Sequence, residues 1–243
     1  LEKYLDEHDC ETHTLSLDNY FKPILGEDKK LLEEGKIDLE SPERVDAVFL
    51  NEQLQRIVDC EPVRLPRFDF RQNDRLFREE DFIRKDGELV ILEGVHSLNP
   101  SVITIPDNEC SKIYVSVRTR VSDGNIVLHP SYIRLMRRLI RDSQHRGRSF
   151  EHTISMFGSV EDGAEKYIMP FKYRATHNID TFISYEINAY KMFLSDGLRE
   201  LKENETAKTL LRILDRAEPV PEQAIPKSSL IREFIGGSSF DYK

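Results

Sequence analysis

The sequence predicts an α/β fold with a mainly parallel sheet, because apolar, strand-like runs alternate with helical patterns along the chain. Leu89–Leu92 and Ile113–Val117 are continuous apolar runs, as expected for strands that are buried on both faces of a parallel sheet. Helical periodicity follows in 132–141, 186–202 and 206–217. Ligands of such sheets bind beyond the carboxyl ends of the strands, so the residues that follow each strand are the first candidates for function.

The first quarter of the chain has clear boundary signals. Residues 1–9 resemble the end of a helix, and Glu11–Leu17 alternates like a strand. Residues 22–40 are polar and glycine-bearing, so we expect a loop there. Ser41, followed directly by a proline, predicts the start of a helix that ends near Asp59.

Weaker signals mark the remaining elements. A short strand at 63–65 and a polar return arm within 72–87 predict a hairpin. Ser159 predicts the N-cap of a helix that ends near Pro170, and Thr181–Ser184 has the pattern of a last strand. The chain contains neither internal repeats nor low-complexity tracts.

Composition and charge exclude several classes of protein. The 243 residues carry a formal net charge of −9, without the basic footprint that general nucleic-acid binding requires. The three cysteines are far apart and in no metal-like spacing, which favours a reduced, cytoplasmic setting over a disulfide framework. No apolar run is long enough to span a bilayer. An acidic chain with one local basic patch suggests instead a small anionic ligand.

The basic patch is Tyr132–Arg148, which holds six arginines and one acid. A helix turns about 100° per residue, so spacing predicts one basic stripe opposite an apolar face docked on a core. The stripe consists of Arg134, Arg137, Arg138 and Arg141, and it is followed by Arg146 and Arg148. Planar, bidentate arginine suits phosphate oxygens. The stripe is equally consistent with a solvated face whose arginines pair with acids elsewhere in the chain.

Two carboxylates follow apolar strands directly. Asp18 ends the first predicted strand, and Glu93 ends the run at Leu89–Leu92. A carboxylate in that position can hold Mg²⁺ through water or accept a proton from an attacking hydroxyl. A single strand-terminal acid more often caps a turn. The pair, together with the arginine stripe, favours function.

Several phrases, in their order along the chain, resemble the uridine kinase and phosphoribulokinase family of P-loop kinases. They cover most of 1–185 and are SLDNYF, ESPERVD, RFDFRQNDR, VILEGVH, RLMRRLIRDSQHRGRS and YIMPFKYRATHNID. The chain looks most like the bacterial uridine-kinase-like proteins that carry a TGS-type module upstream and end in REFIGGSSF. The resemblance implies a three-layer, P-loop NTPase-like fold, a kinase domain over 1–217 with an arginine-rich helical lid at about 131–158, and a C-terminal extension over 218–243.

The resemblance also implies a nucleoside kinase that moves the γ-phosphoryl of ATP, with Mg²⁺, to a 5′-hydroxyl. Asp18 matches the general base toward that hydroxyl. Glu93 matches the acid near Mg²⁺, and Asp18 is a second candidate ligand of the metal. Phe68 and Phe70 match the aromatic pair that brackets the base, although Phe68 stands where uridine kinases usually have Tyr. Asn73 falls where they place a His on the base edge.

Further roles follow from the same resemblance. Glu40 falls where the family has an Asp on the ribose. Arg138 and Arg148 match arginines that reach the acceptor nucleoside, and Arg141 and Arg146 match lid arginines on the ATP phosphates. Ordinary structural roles remain open as well: the two phenylalanines fit one face of a hairpin packed on a core, and Glu40 fits a charge at a helix entry.

One family motif is missing from the chain. The segment G-x-x-x-x-G-K-[ST], whose backbone N–H groups and Lys hold the β- and γ-phosphates, occurs nowhere in the 243 residues. In the family that loop precedes a helix that ends roughly where this chain starts. We therefore expect a segment upstream, and we expect the chain alone to bind ATP weakly and to be inactive.

Two other functions remain open. The phrase EGVH resembles the phosphoribulokinase side of the family and favours a kinase for another hydroxyl acceptor, such as a sugar phosphate. Its His96 could contact substrate, but a bond to a backbone group is the more ordinary role. The chain could also be a non-catalytic module that senses nucleotide. The resemblance further suggests pyrimidine salvage in the cytoplasm and a dimer or tetramer.

Overall fold

The structure, a computed structural model, confirms the α/β class and describes residues 1–34, 36–122, 124 and 127–240. Parts of the loop predicted for 22–40 and of the extension predicted for 218–243 therefore lie outside the description. The chain divides into two compact units, which are treated separately. The first comprises Leu1–Tyr114 with Gly163–His177, and the second comprises Val115–Asp162 with Asn178–Lys243.

The first unit is organised around a parallel strand pair. In chain order its elements are α1 (Glu2–Asp6), β1 (Thr12–Ser16), α2 (Glu27–Glu33), α3 (Ala47–Val58), β2 (Pro66–Asp69), β3 (Asp74–Phe77) and β4 (Leu89–Glu93). Strands β1 and β4 run parallel, with Thr12 opposite Leu89 and Ser16 opposite Glu93. Strands β2 and β3 form an antiparallel hairpin, with Phe68 opposite Arg75. Its second strand lies within the predicted return arm at 72–87, but its first strand begins at Pro66, just after the strand predicted at 63–65, where Val63 forms an isolated bridge to Phe82.

Apolar side chains from the strand ends and from α3 form the core of this unit. Leu50, Leu54 and Ile57 lie on one face of α3 because they are three or four positions apart, and all three are buried. They pack with Leu15, Leu17, Tyr20, Val45, Val63, Leu65, Val102 and Ile103. The core therefore lies directly beneath the turn that follows β1.

The second unit is mainly helical. Its elements are β5 (Ile113–Ser116), β6 (Val121–Ser122), β7 (Val127–Leu128), α4 (Pro130–His145), α5 (Phe150–Tyr167), β8 (His177–Asp180), α6 (Glu186–Glu200), α7 (Glu205–Leu214) and α8 (Arg232–Ile235). Three of these elements, β5, α5 and β8, contain residues assigned to both units. Strand β5 pairs with β8, and β6 pairs with β7. The predicted helices at 186–202 and 206–217 are confirmed as α6 and α7. Within the described residues, no helix is both long enough and apolar enough to cross a membrane.

The prediction that the apolar runs are buried on both faces is wrong. Leu89 is 49% exposed and Val115 is 57% exposed, and the middle residues of β4 are only half-buried. Within the described residues each named strand pairs with one partner, so the strands form two-stranded sheets rather than one wide sheet. An apolar run indicates a strand, but it does not establish that other elements pack on both of its faces.

Several predicted boundaries also move. The last strand is His177–Asp180 and not Thr181–Ser184, because the Asp180 carboxylate accepts hydrogen bonds from the Arg118 and Phe182 N–H groups and turns the chain out of the strand. Helix α5 begins at Phe150 rather than near Ser159, because the hydroxyl of Ser149 accepts from the His152 N–H at the entry to the helix.

Two further corrections concern residues 22–58. Helix α2 lies within the segment predicted as a loop. Ser41 caps only a short 3-10 turn at Pro42–Arg44, where its hydroxyl accepts from the Glu43 N–H. The α-helix itself begins later, with Asp46 as the residue whose carboxylate accepts from the Phe49 N–H. The Ser-Pro pair therefore correctly predicted a cap at Ser41, but the capped element is the 3-10 turn rather than the α-helix.

Candidate functional site

The register of the parallel pair places two acidic residues at one edge of the sheet. Ser16 lies opposite Glu93 at the carboxyl ends of β1 and β4, and Asp18 follows Ser16 by two residues. Asp18 lies in a 3-10 turn at Leu17–Tyr20, and both carboxylates are on exposed residues. This edge is where ligands bind in parallel α/β sheets.

A glycine allows the two acidic segments to approach each other. Gly94, which follows Glu93, has φ +153°, and a Cβ on it would lie 2.5 Å from the Cβ of Leu17. Such a distance is far inside van der Waals contact, so any larger residue would push apart the segments that carry Asp18 and Glu93. Leu17 itself is fully buried. The close approach therefore rests on the core.

The turn that carries Asp18 is tied to the hairpin by polar side chains. The side-chain oxygen of Asn19 accepts a hydrogen bond from the Phe68 N–H at 3.1 Å. The guanidinium group of Arg75 donates to the carbonyl of Tyr20 at 3.3 Å and to that of Phe21 at 2.9 Å. Arg75 and Asn19 thus hold the turn against the hairpin that carries Phe68.

Asn73 fixes the next part of the same segment. Its amide oxygen accepts from the Ile24 N–H at 3.0 Å, and its amide NH₂ donates to the Ile24 carbonyl at 2.8 Å. Asn73 also has φ +52°, a left-handed conformation that Asn tolerates better than most residues. Both the oxygen and the NH₂ group of the amide are therefore hydrogen-bonded to the backbone, which limits the hydrogen bonds that Asn73 can form with the edge of a base.

The hairpin and this segment enclose a cavity of about 500 Å³. Its described lining consists of three aromatic residues, three aliphatic residues, one amide and two cations: Phe21, Phe68, Phe70, Ile24, Leu32, Leu39, Asn73, Lys29 and Arg44. The ring centroids of Phe68 and Phe70 are 5.0 Å apart, and Phe21 meets them edge-on at 6.2 and 6.0 Å. Phe68 is 8% exposed and Phe70 63%, so Phe70 offers the open face.

Glu40 lies beside this cavity but is not part of its lining. Its neighbour Leu39 contributes to the lining, whereas the side chain of Glu40 lies against Gly163, where a Cβ would be 2.6 Å from that of Glu40. The buried ring of His96 hydrogen-bonds to the backbone of Glu40, as expected for the ordinary role of this histidine. The pKa of His96 is lowered, because burial outweighs this bond and the nearby carboxylate of Asp38.

In the second unit, the arginine stripe does not face outward as a whole. Arg137 is buried, donates to both carboxylate oxygens of Glu186 at 2.8 and 3.0 Å, and also reaches the Thr181 carbonyl at 2.7 Å. Arg134 pairs with Glu161 at 2.7 Å. The expectation of outward guanidinium groups is therefore wrong for Arg137, whose partner comes from α6.

Three of the other arginines share one buried carboxylate. Asp142 is 1% exposed, and its oxygens lie 3.6 Å from Arg138, 3.1 Å from Arg146 and 3.5 Å from Arg148. The Thr153 hydroxyl also donates to Asp142 at 3.3 Å. The structure thus brings together three of the predicted binding arginines around an acid to which the sequence analysis assigned no role.

Arg141 lies in the same region without an ion pair within 4.0 Å among the described side chains. Burial and the neighbouring Arg146 and Arg138 lower the pKa of Arg141, while the Asp142 and Glu233 carboxylates act in the opposite direction. Burial likewise raises the pKa of Glu233, on α8, against the effect of Arg141. These guanidinium groups outnumber the nearby carboxylates, so the cluster is suited to an anion.

The two acids of the first unit are the candidate carboxylate donors for a divalent cation. Among the described residues there is no cluster of three or more His, Cys, Asp or Glu side chains with the geometry of a metal site. Mg²⁺ is commonly held by one or two carboxylates, with substrate phosphates and waters completing the octahedron. Asp18 and Glu93, exposed at one sheet edge, are a donor set of that kind.

An α/β chain with acids beyond the ends of parallel strands, and a cavity beside them, is typical of an enzyme that binds its ligand at this edge. The class of enzyme follows from a comparison with protein families: the chain belongs to the Phosphoribulokinase / Uridine kinase family, whose model matches residues 6–188. The family resemblance found in the sequence is thereby confirmed, and kinase is the class of enzyme.

Individual proteins are also similar to this chain. The uridine kinase of Lactobacillus helveticus (strain DPC 4571) is 29% identical over 170 residues, which cover 69% of this chain and 71% of that protein. Uridine-cytidine kinase 2-B of Danio rerio is 24% identical over 169 residues, covering 69% and 59%. Among solved structures, that of the YGR205w protein has 18% identity and a TM-score of 0.49, and covers 74% of this chain and 78% of that one.

Sequence reasoning found the acids and two of the aromatic residues but missed several partners. Phe21 is the third ring of the cavity, and its place in the phrase SLDNYF was the available signal. Asn19 and Asp142 could have been noted as polar residues inside otherwise assigned motifs. Arg44 could have been noted inside the phrase ESPERVD, whereas for Lys29 there was no signal, because it lies in a stretch without recognisable periodicity. The functions assigned to the site residues stay predictions.

Asp142→Asn tests whether the arginine cluster depends on one buried charge. We expect a loss of about 2 kcal/mol or more in the free energy of unfolding by urea, because several arginines would be left without their shared partner. The control is Asp162→Asn, at an exposed position of α5, for which a change within about 0.5 kcal/mol is expected. Equal stability of the two variants would contradict the account.

His96 should make the fold sensitive to acid. Its folded pKa is lower than its usual value of 6.5, so the unfolded chain binds more protons and stability falls as the pH drops below about 6.5 toward the folded pKa. Unfolding by urea from about pH 7 to about pH 5 should show a shallower loss in His96→Gln than in the unaltered chain. His152→Gln, at an exposed position, should keep the full slope; an identical slope in His96→Gln would refute the linkage.

Proposed function

We propose that the chain belongs to an ATP-dependent nucleoside kinase, which transfers the γ-phosphoryl group of ATP to the 5′-hydroxyl of a nucleoside. The observation that carries the proposal is the placing of Asp18 and Glu93 at one sheet edge, with an aromatic cavity tied to the Asp18 turn. A kinase of this kind needs both parts, because it must hold a ring and activate a hydroxyl.

Asp18 is proposed as the general base that accepts the proton of the attacking hydroxyl. A carboxylate can do this when it lies within hydrogen-bond reach of that hydroxyl. Glu93, with Asp18, is proposed to hold Mg²⁺, which would neutralise charge on the transferring phosphoryl group. The approach of Gly94 to Leu17 supports these roles, since it brings together the two segments that carry the acids.

The aromatic residues are proposed to hold the base of the nucleoside. Phe70 offers an exposed face, Phe68 stands edge-on to it, and Phe21 completes the slot. Stacking on such rings is tolerant of the kind of base, because every base has a π-face. Glu40 is proposed to bind the ribose diol, and Asn73 to lie at the base edge, where its role is mainly to hold the wall of the cavity.

The arginines of the second unit are proposed to bind anions of the substrates. Arg141 and Arg146 would bind ATP phosphates, and Arg138 and Arg148 would bind the acceptor. The sharing of Asp142 by several guanidinium groups supports this, because a phosphate can complete a coordination that one carboxylate leaves unfinished.

A kinase for an anionic acceptor, such as a sugar phosphate, is the second candidate. The observation that favours it is the presence of Lys29 and Arg44 in the lining of the cavity, since a site for a neutral nucleoside has no need of two cations. A nucleotide-sensing module without catalysis remains the alternative from another class, and the same variant of Asp18 distinguishes it from an enzyme.

Asp18→Asn tests the proposed chemistry in the product of the intact gene, assayed by ADP release with a panel of nucleosides and pentose phosphates. We expect kcat to fall about 100-fold or more with little change in the KM of the acceptor, because general-base catalysis typically contributes that much. Asp86→Asn, at an exposed position, is the control and should keep full activity. Unchanged turnover in Asp18→Asn, or no ADP release from the unaltered protein with any acceptor, would refute the proposal.

A further inference from the structure

We infer that the acceptor cavity is built for a planar ring compound that carries an anionic group, rather than for a neutral nucleoside. This inference deepens the proposed function and rests on it in one respect, namely that the bound compound is the phosphoryl acceptor. The cavity has a described lining of aromatic and aliphatic residues with two cations, Lys29 and Arg44, and none of the described lining residues is acidic. The ligand that complements this lining has an apolar, flat body and a negative charge.

The aromatic part of the lining accounts for the ring. Phe68 and Phe70 meet edge to face on one side of the cavity, with centroids 5.0 Å apart and planes at 63°. Phe21 stands at 75° to Phe70. Rings arranged in this way can interact with a bound aromatic ring through their faces and edges. A sugar phosphate has no aromatic ring and cannot make these interactions.

Arg44 is held ready for an anion. One nitrogen of its guanidinium group donates to the Lys22 carbonyl at 2.5 Å, and the Lys22 N–H donates back to the Arg44 carbonyl at 2.8 Å. The Lys22 ammonium group donates to the Glu43 carbonyl at 3.0 Å, which fixes the turn from the other side. Arg44 therefore keeps further N–H donors in a fixed orientation, and a planar fork of donors matches a carboxylate or a phosphate.

Neither cation is neutralised by the described part of the chain. Within 4.0 Å of Arg44 or Lys29, no described carboxylate forms an ion pair, although basic residues elsewhere in this unit pair with acids, as Arg75 does with Asp46 at 2.9 Å. Arg44 is half-buried, whereas Lys29 is exposed, so a ligand anion gains more from the charge of Arg44 than from that of Lys29, which water screens. Among the described side chains, the two cations of the cavity thus have no acidic partner.

The neutral polar group of the cavity is already occupied. The amide of Asn73 exchanges hydrogen bonds with both backbone groups of Ile24, so reading the edge of a base would break bonds that hold the wall. Breaking such bonds in a half-buried site leaves polar atoms unpaired, which costs binding energy. Discrimination in this cavity therefore depends on charge, through Arg44 and Lys29, more than on the amide.

The test is isothermal titration calorimetry of the chain with three probes: uridine, which has the ring alone; ribose 5-phosphate, which has the anion alone; and 6-carboxyuridine, which has both. We expect 6-carboxyuridine to bind at least about tenfold more tightly than either of the others, since one charge-assisted hydrogen bond is worth about that factor. Arg44→Gln and Lys29→Gln should each reduce this preference severalfold and leave the affinity for uridine nearly unchanged.

Matched controls are available on the same elements. Lys30→Gln changes the next residue of α2, which is absent from the lining of the cavity, and should keep the preference. Arg44→Lys keeps the charge without the fork and should retain part of the preference. Phe70→Ala, at an exposed position, should weaken uridine and 6-carboxyuridine alike. The retained affinity of the charge variants for uridine shows that they remain folded.

The outcomes separate this inference from the proposed function. Uridine binding as tightly as 6-carboxyuridine, or a preference that persists in Arg44→Gln and Lys29→Gln, would overturn the inference even if the intact enzyme phosphorylates nucleosides. Ribose 5-phosphate binding most tightly would overturn the ring requirement. Preferential binding of 6-carboxyuridine without its phosphorylation by the intact enzyme would support the anionic cavity and count against the proposed function alone.

Discussion

The close packing of Gly94 on Leu17 is the constraint on which the candidate site depends. The parallel register of β1 and β4 sets Ser16 opposite Glu93, and the glycine allows the two chains to stay close after the strands end. Because Leu17 is part of the core, the position of the acidic edge is fixed by apolar burial rather than by the acids themselves. Both acidic residues are exposed at that edge.

Polar bonds extend this order from the sheet edge to the cavity. Three side chains connect the segment from Asp18 to Ile24 with the hairpin. Each of them forms a hydrogen bond to a backbone group of the other segment: Asn19, Asn73 and Arg75. The second unit uses a different device, in which the buried carboxylate of Asp142 gathers several guanidinium groups. In the first unit these amide and guanidinium groups are bonded to the backbone. In the second unit the guanidinium groups outnumber the carboxylates near them.

The sequence predicted those features that depend on local pattern. Strands β1 and β4, the hairpin, α6 and α7 were found from periodicity, and Asp18 and Glu93 from their position after apolar runs. Features that depend on distant partners were missed: the spacing of the arginine stripe says which face Arg137 occupies, but not that Glu186, far along the chain, lies opposite it. The left-handed backbone of Asn73 and the cations of the cavity likewise arise only from the folded chain.

The most direct test of the account is a crystal structure of the intact gene product with Mg²⁺, a non-hydrolysable ATP analogue and an acceptor that the enzyme phosphorylates. The central claim is that the acidic edge and the aromatic cavity serve one acceptor. It predicts the ring of the acceptor against the exposed face of Phe70, with its reacting hydroxyl within about 3.2 Å of an Asp18 carboxylate oxygen. A ring bound elsewhere, or a reacting hydroxyl out of reach of Asp18, would contradict it.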